Sequence, residues 1–256
     1  MTYKEKVTRC CPMVGTHINL TDPAVTELES GIGFDYLWID MEHTYISEEC
    51  LHNHLLAARA GGTPTLIRLP ASDLTVTKRV LEMGPDAVVF PMVENAAHAR
   101  ALLSDTLYPP LGSRGCGPKG ANPNGLDDER AYYAEGHLKM CRFVQIERKT
   151  AALEAEAIAA IPYLDGCVLG LFDLSGSVGD PGNIWGDETM ALAKRAIDAF
   201  RKAGKTVGIS TFADDDATIA RLHRLGINMI TTGADYEYIR KGALDTLRRA
   251  RAIQAE

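Results

Sequence analysis

Long apolar runs are lacking in this 256-residue sequence. No apolar stretch approaches the roughly 20 residues that a helix needs to cross a bilayer. The first six residues, from Met1 to Lys6, contain no apolar signal core. We therefore expect a cytoplasmic protein that does not enter a membrane.

Basic residues are also fewer than acidic ones in this sequence. The 27 lysines and arginines are outnumbered by 34 aspartates and glutamates, which gives a formal net charge of −7. Nucleic-acid-binding proteins usually have a basic face, and anionic lipids attract basic segments. The basic run Arg248, Arg249 and Arg251 is more typical of the end of a last helix, where cations suit the helix dipole. We expect neither nucleic acid nor a membrane as a partner.

The six cysteines show no C-x-x-C spacing and no zinc-binding pattern. Cys141 and Cys167 lie in or beside apolar runs, which favours buried, inert thiols. Cys10 and Cys11 are adjacent, but neighbouring residues of a strand point to opposite faces. A redox role for this pair is therefore disfavoured.

Eight short, mostly apolar runs alternate with helical patterns along the chain, as is typical of buried parallel strands. The predicted strands are 11–16, 36–40, 65–68, 87–90, 142–146, 166–169, 206–210 and 229–232. Asp22-Pro23 begins the first helix and Gly31 ends it, and Ser47 begins the next, which runs to Ala60. Further helices are predicted over 74–83, 96–104, 153–161, 188–203, 214–225 and 239–254.

The alternation of eight strands with helices predicts an α/β protein with a (β/α)₈ TIM barrel, in a single domain over residues 1–256. A doubly wound open sheet is the alternative. A dinucleotide-binding sheet would need a glycine-rich turn after the first strand, and Gly15 to Asn19 has no G-x-G-x-x-G pattern. The longest irregular stretch, 109–136, is rich in Gly, Pro and Asn, and loops of that length are usually functional or disordered.

Polar residues follow the predicted strands on the side where barrel enzymes place their active sites. They are Asp40, Glu42, His43, Arg68, Glu94, Gln145, Glu147 and Asp173. Each has an ordinary structural explanation: Arg68 as a salt-bridge partner, Asp173 as a helix cap, Glu147 as a partner of Arg148 or Lys149. Charges next to apolar strands are costly unless they are paired or bound to a cation. Their convergence on one rim therefore predicts a functional site.

Glu147 and Asp173 follow neighbouring strands and suit a hard divalent cation that keeps several waters. Such an open coordination sphere leaves room for a bidentate 2-oxo acid, whose ketone the metal would polarise. A Schiff-base lysine is the competing route. Lys205 precedes the seventh strand and would lie at the opposite end of the barrel, so an imine mechanism is disfavoured. A nucleophilic serine is also disfavoured, because there is no G-x-S-x-G motif.

At these residues the sequence resembles the HpcH/HpaI aldolase family, the class II pyruvate aldolases that act on 4-hydroxy-2-oxoheptanedioate and 2-dehydro-3-deoxyglucarate. The resemblance extends from Gly15-Thr16 to Gly233. The segments that carry it are Gly33-Phe34-Asp35, Ile39-Asp40-Met41-Glu42-His43, Arg68, Pro91-Met92-Val93-Glu94-Asn95-Ala96, Tyr108-Pro109-Pro110-Leu111-Gly112-Ser113-Arg114-Gly115, Val144-Gln145-Ile146-Glu147 and Gly170-Leu171-Phe172-Asp173-Leu174-Ser175. The segments occur in the same order and at the same spacing as in the family, which makes the resemblance specific.

The resemblance implies a barrel of the phosphoenolpyruvate/pyruvate-domain type with Mg²⁺, Mn²⁺ or Co²⁺ held by Glu147 and Asp173. Gln145, Phe172 and Asp173 would then contact the substrate. The family's oligomer is a hexamer, a trimer of dimers that exchange C-terminal helices, so a homo-oligomer is expected.

The resemblance also assigns roles in catalysis. Arg68 is expected to stabilise the enolate oxygen, and Glu42 to orient a metal-bound water. His43, paired with Asp40, is expected to move the proton of the acceptor hydroxyl through water. Glu82, 14 residues after Arg68, stands where the family has an aspartate that raises the basicity of the histidine.

Several residues depart from the family pattern. Leu171-Phe172 replaces a proline and a small residue, Thr44-Tyr45 replaces a small residue and a proline, and His17 stands where an aromatic is common. The expected activity is reversible cleavage of a 4-hydroxy-2-oxo acid to pyruvate and an aldehyde. One alternative is a CoA-ester lyase of citryl or malyl type, which would need a basic patch for the CoA phosphates. The other is a non-catalytic metabolite-binding relative.

Overall fold

The computed structural model describes residues 1–213 and 215–255. Eight parallel strands pair in chain order, and β8 closes on β1, so the sheet is a complete barrel. The strands are β1 Met13–Ile18, β2 Tyr36–Asp40, β3 Thr65–Arg68, β4 Ala87–Phe90, β5 Cys141–Ile146, β6 Gly166–Leu169, β7 Thr206–Ser210 and β8 Met229–Ala234. The prediction of a TIM barrel is confirmed.

Twelve α-helices lie in the described part of the chain. They are α1 Tyr3–Thr8, α2 Pro23–Ser30, α3 Glu48–Gly61, α4 Leu74–Glu82, α5 Ala96–Ser104, α6 Glu129–Ala134, α7 Lys149–Leu153, α8 Ala155–Ala159, α9 Leu171–Ser177, α10 Asp187–Lys202, α11 Asp216–Arg224 and α12 Asp235–Gln254. The predicted start signals form: the Asp22 side chain accepts from the amide of Ala24, and that of Ser47 from the amide of Cys50. In the described part, 3₁₀ turns cover Pro123–Gly125 and Gly136–Lys139.

The strands are apolar on both faces because each face packs against a different layer. In β2, Leu37 and Ile39 belong to the layer between the barrel and the helices, whereas Tyr36 and Trp38 belong to the barrel interior. All four are fully buried. At the amino-terminal end of the barrel, α1 joins the interior cluster through Tyr3, whose ring lies 5.8 Å from that of Tyr36.

A few elements differ from the sequence-based prediction. β1 lies two residues later than predicted, and the helix predicted over 153–161 is divided into α7 and α8. The helices α1, α6 and α9 were not predicted. For the helix predicted over 214–225, residue 214 lies outside the described residues, and α11 begins at Asp216. α12 begins four residues earlier than predicted.

The last helix, α12, lies largely apart from the barrel. Of its 20 residues only Asp235 is buried. Its apolar side chains include Ile239, Leu247 and Ile253, which are 59%, 47% and 73% exposed. Among the helices that the structure describes, none is both long and apolar enough to cross a membrane.

Candidate active site

The carboxyl ends of the strands surround a cavity of about 530 Å³. Six of the predicted site residues line it: Asp40, His43, Arg68, Gln145, Phe172 and Asp173. A second cavity, of about 570 Å³, lies at the other end of the barrel, beside Asp86 and Met140, which precede β4 and β5. The first cavity is the candidate active site because it lies at the end where barrel enzymes carry out their chemistry.

Arg68 binds two carboxylates at the end of β3. Its Nε donates to Asp40 Oδ1 at 2.8 Å, one terminal nitrogen donates to Oδ2, and the other lies 3.1 Å from Glu42 Oε2. Asp40 Oδ1 also accepts from the backbone amide of Glu42 at 2.9 Å. Burial raises the pKa of Asp40, but the hydrogen bonds and charge of Arg68 outweigh it and hold that pKa below its ordinary value. The guanidinium is therefore fixed in place at the cavity wall.

The His43 ring lies near Glu42 and not, as predicted, near Asp40. Its side chain is 63% exposed, and its Nε2 lies 3.8 Å from Glu42 Oε2. Only its backbone amide bonds to Asp40, at 3.4 Å. The predicted pairing of the His43 ring with Asp40 is not formed in this structure, where Arg68 donates to both carboxylate oxygens of Asp40.

Glu147 is buried by its neighbours, with 1% of its surface exposed. Its Oε1 accepts from the amide of Met92, and its Oε2 accepts from the side-chain amide of Gln145. Met92 has a φ of +54°, a strained conformation that is uncommon for a residue with a side chain and is enriched at functional sites. A Cβ at Gly170 would lie 2.5 Å from Glu147 Oε2, so only glycine leaves room for this carboxylate. Sequence analysis missed the Met92 amide, because no sequence signal marks a left-handed methionine.

Negative charge exceeds positive charge in this group. Asp40, Glu42 and Glu147 act on Arg68, and Asp173 adds its charge to Glu42 and Glu147. Arg68 is the one lysine or arginine among the described residues lining the cavity. Burial and the charges of Glu42 and Asp173 raise the pKa of Glu147 to about 7. A divalent cation would relieve this repulsion, so the residues fit a metal.

The ligands for such a metal would be few. Nowhere in residues 1–213 or 215–255 do three or more His, Cys, Asp or Glu side chains cluster in a way that could hold a metal ion. A site with only two carboxylate ligands would leave the remaining positions to water and substrate oxygens, as hard cations commonly accept. Asp173 lies in the first turn of α9 and is not its N-cap, which is Gly170.

Phe172 forms part of the wall of the cavity and is 61% exposed. Its ring therefore faces the cavity and solvent. The neighbouring Leu171 is 6% exposed and belongs to the hydrophobic core. The substitution of the family's small residue by phenylalanine thus changes the surface that meets the substrate.

Glu82 does not reach the site within this chain. It ends α4, where Glu82 Oε1 accepts from Arg114 at 3.0 Å and its backbone oxygen accepts from the amide of Ala121. Because α4 runs back from the end of β3 to the start of β4, its last residue lies at the amino-terminal end of the barrel. The predicted role of Glu82 beside His43 is therefore not formed in the single chain.

Comparison with known proteins agrees with this geometry. Residues 14–241 match the HpcH/HpaI aldolase/citrate lyase family profile. The chain is 31% identical to the hydroxypyruvate/pyruvate aldolase of Delftia acidovorans over 99% of this chain and 93% of that protein. It is 31% identical to the 2-keto-3-deoxy-L-rhamnonate aldolase of Salmonella gallinarum over 91% of this chain and 86% of that protein.

A solved structure gives the same result. The HpcH/HpaI aldolase/citrate lyase family protein of Burkholderia cenocepacia superimposes with a TM-score of 0.89 at 28% identity. The match covers 97% of this chain and 98% of that one. The predicted lyase class is thus confirmed at the level of the family, and the chain belongs to the HpcH/HpaI aldolase/citrate lyase family.

Proposed function

We propose that this protein is a metal-dependent aldolase that reversibly cleaves a 4-hydroxy-2-oxo acid to pyruvate and an aldehyde. The observation that carries the proposal is the group of carboxylates around Arg68, of which Asp40 and Glu147 are buried, beside a cavity of about 530 Å³. The relative named as a hydroxypyruvate/pyruvate aldolase supports pyruvate or hydroxypyruvate as the product that forms when the enolate is protonated.

Glu147 and Asp173 would hold a divalent cation, which when bound supplies a Lewis acid to the 2-oxo group. Arg68 would stabilise the negative charge that develops on the enolate oxygen. Its pairing with Asp40 and Glu42 matters here, because a preorganised donor needs no rearrangement as the charge forms.

Gln145 would orient both Glu147 and the 2-oxo acid. One hydrogen of its side-chain amide is donated to Glu147 Oε2, and the second is available for an oxygen of the 2-oxo acid. This bond fixes the orientation of Glu147, and Gly170 leaves the space in which the two side chains meet.

His43 would transfer the proton of the 4-hydroxyl group. Its exposed ring lies at the cavity wall, 3.8 Å from Glu42, so a water molecule can connect the ring to the substrate. Cleavage of the bond between C3 and C4 requires the hydroxyl proton to leave as the aldehyde forms, and an imidazole nitrogen can accept it.

The decisive experiment measures pyruvate release from a panel of 4-hydroxy-2-oxo acids in the presence of Mg²⁺, Mn²⁺ or Co²⁺. We expect turnover with at least one acid and its loss in Glu147→Gln and in Asp173→Asn, which keep the size of each side chain. Turnover of citryl- or malyl-CoA in place of these acids would favour the CoA-ester lyase. Tight binding of a 2-oxo acid without turnover would favour a binding protein.

A further inference from the structure

His17 and Ser210 form a hydrogen-bonded pair at the ends of β1 and β7. His17 is 1% exposed, its Nε2 lies 2.8 Å from Ser210 Oγ, and its Nδ1 lies 2.6 Å from the carbonyl oxygen of Gly233. The imidazole also stacks on Phe212, with ring centroids 4.9 Å apart. Ser210 and Phe212 line the candidate active site, so the pair belongs to its wall.

The bonds determine which atom carries each hydrogen. A carbonyl oxygen can only accept, so Nδ1 of His17 must donate to Gly233. Burial lowers the pKa of His17 to about 4, and the ring is neutral near pH 7. Nε2 then has a lone pair and no hydrogen, and Ser210 must donate its hydroxyl hydrogen to it. The Ser210 oxygen therefore has only lone pairs to offer the cavity.

The backbone of β8 enforces this arrangement. Gly233 has a φ of +64°, and a Cβ there would collide with the Tyr238 hydroxyl. The register of β1 against β8 shifts between Gly15 and His17, which brings His17 opposite Ala234. A glycine at 233 is thus needed to aim its carbonyl at the histidine.

The remaining wall disfavours an anionic group at this point. Arg68 is paired with Asp40 and Glu42, and the proposed mechanism commits it to the enolate oxygen. A carboxylate near Ser210 would face lone pairs and find no lysine or uncommitted arginine among the cavity-lining residues that the structure describes. A hydroxyl group can instead donate its hydrogen to the Ser210 oxygen.

We propose that Ser210, oriented by His17, selects an acceptor aldehyde that carries a hydroxyl group over one that carries a carboxylate. The inference rests on the proposed aldolase function and specifies its substrate class. In the direction of synthesis, pyruvate would supply the enolate carbon and the hydroxyaldehyde its carbonyl carbon.

The test compares two aldehydes of equal size, glycolaldehyde and propanal, as acceptors for pyruvate. Ser210→Ala should lower the ratio of their kcat/KM values by about 5- to 10-fold, the usual effect of one hydrogen bond. Ser210→Thr, which keeps the hydroxyl, should retain most of the wild-type ratio. A purely structural role for Ser210 would lower both kcat/KM values together and leave the ratio unchanged, which would overturn the proposal.

Two further comparisons distinguish recognition of a hydroxyl group on the acceptor aldehyde from recognition of one on the donor. With propanal as acceptor, the ratio of hydroxypyruvate to pyruvate should not respond to Ser210→Ala; a fall there would mean that Ser210 recognises the donor and would overturn the proposal. An aldehyde that carries a carboxylate, succinic semialdehyde, should be a poorer acceptor than glycolaldehyde. His17→Phe leaves the Ser210 hydrogen free, and should reduce the preference for glycolaldehyde over succinic semialdehyde.

A measurement that needs no turnover tests the orienting bond itself. Long-range ¹H–¹⁵N spectra of the wild-type imidazoles should show His17 as the neutral form with its hydrogen on Nδ1 at pH 7. A hydrogen on Nε2 would overturn the proposal even in an active aldolase. If no aldehyde reacts with pyruvate, the aldolase function fails, and this inference fails with it.

Discussion

Arg68 holds Asp40 and Glu42 together at the wall of the cavity, so its replacement should affect both catalysis and stability. Arg68→Ala should lower turnover by about 10²–10³-fold, the usual loss for one donor to an oxyanion. It also leaves the buried Asp40 carboxylate unpaired, which typically costs about 3–5 kcal/mol of unfolding free energy. Steady-state kinetics and chemical denaturation of the same variant measure both effects.

The control for Arg68 is Arg68→Lys, which keeps the charge but loses the two-point contact with Asp40. Compared with Arg68→Ala, Arg68→Lys should restore more of the free energy of unfolding than of the turnover rate. Metal affinity should change little in either variant, because Arg68 is not among the proposed ligands. Normal turnover in Arg68→Ala would remove this residue from the mechanism.

His43 provides the second prediction at this scale. If it transfers the hydroxyl proton of the acceptor, His43→Ala should abolish cleavage and retain some exchange of the pyruvate methyl protons with solvent. The exposure of the ring means that its removal should not affect folding. Proton NMR of pyruvate in D₂O measures the exchange. Loss of exchange as well, in a folded and metal-bound variant, would place His43 in enolisation.

Six of the lining residues were predictable from sequence because a parallel barrel brings all strand ends to one rim. Asp40, Arg68, Gln145 and Asp173 needed only correct strand positions. The sequence did not predict which of the carboxylates at the strand ends would pair with Arg68, because local sequence does not show which side chains come into contact. The role of Glu82 rested on the resemblance alone, and within one chain α4 carries this residue to the opposite end of the barrel from Arg68.

At the scale of the element, α9 carries the clearest departure from the family. Phe172 faces the cavity, so its bulk should exclude donors larger than pyruvate, such as 2-oxobutanoate. Phe172→Ala should relax this preference by roughly 10–200-fold, the usual effect of one methylene in a pocket. The ratio of kcat/KM for 2-oxobutanoate and pyruvate measures it.

The matched control for Phe172 is the preceding residue. Leu171 is buried in the core, so Leu171→Ala should lower the free energy of unfolding by about 2–5 kcal/mol. Phe172→Ala, at an exposed ring, should have a much smaller effect on stability. A large loss of stability in Phe172→Ala with unchanged donor preference would show that the ring packs rather than selects.

The sequence predicted the main elements well where capping and apolar runs coincide, as in α2, whose N-cap is Asp22. It failed for α9, because Leu171–Ser177 is short and contains Gly176 and two serines, which are poor helix formers. The end of β8 was also missed, since its pairing depends on the irregular register beside Gly15. Such features arise from tertiary contacts and leave little trace in local composition.

At the scale of the whole molecule, the surplus of carboxylates should couple stability to pH and metal. Burial and neighbouring charges raise the pKa of Glu147 from 4.5 to about 7. The stability that its protonated form contributes is therefore fully present below pH 4.5 and is lost as the pH rises through about 7. A metal needs the carboxylate, so affinity should rise about tenfold from pH 6 to pH 8.

Thermal unfolding with and without Mn²⁺ measures this coupling. The increase in Tm on adding Mn²⁺ should be larger at pH 8 than at pH 6. Glu147→Gln imitates the protonated side chain, so it should remove the part of the pH dependence that belongs to this residue. An equal effect of Mn²⁺ on wild type and Glu147→Gln would mean that Glu147 does not bind the metal.

The last helix bears on the assembly, which stays a prediction of a hexamer built from dimers. α12 has an apolar stripe at helical spacing, Ile239, Ala243, Leu247 and Ala250, and all four residues are exposed. A helix with an exposed apolar stripe normally packs against a partner. A second copy of the chain is the natural partner if C-terminal helices are exchanged between subunits.

Introducing a charge into this stripe should therefore dissociate the assembly. Leu247→Glu should shift the mass measured by light scattering from a multiple of the chain towards the monomer, because burying an unpaired carboxylate in an apolar interface is strongly unfavourable. Ala252→Glu adds the same charge to an exposed position on the opposite face of the helix and should keep the oligomer. The stripe would have no role in assembly if the wild type is monomeric at micromolar concentration, or if both variants keep the wild-type mass.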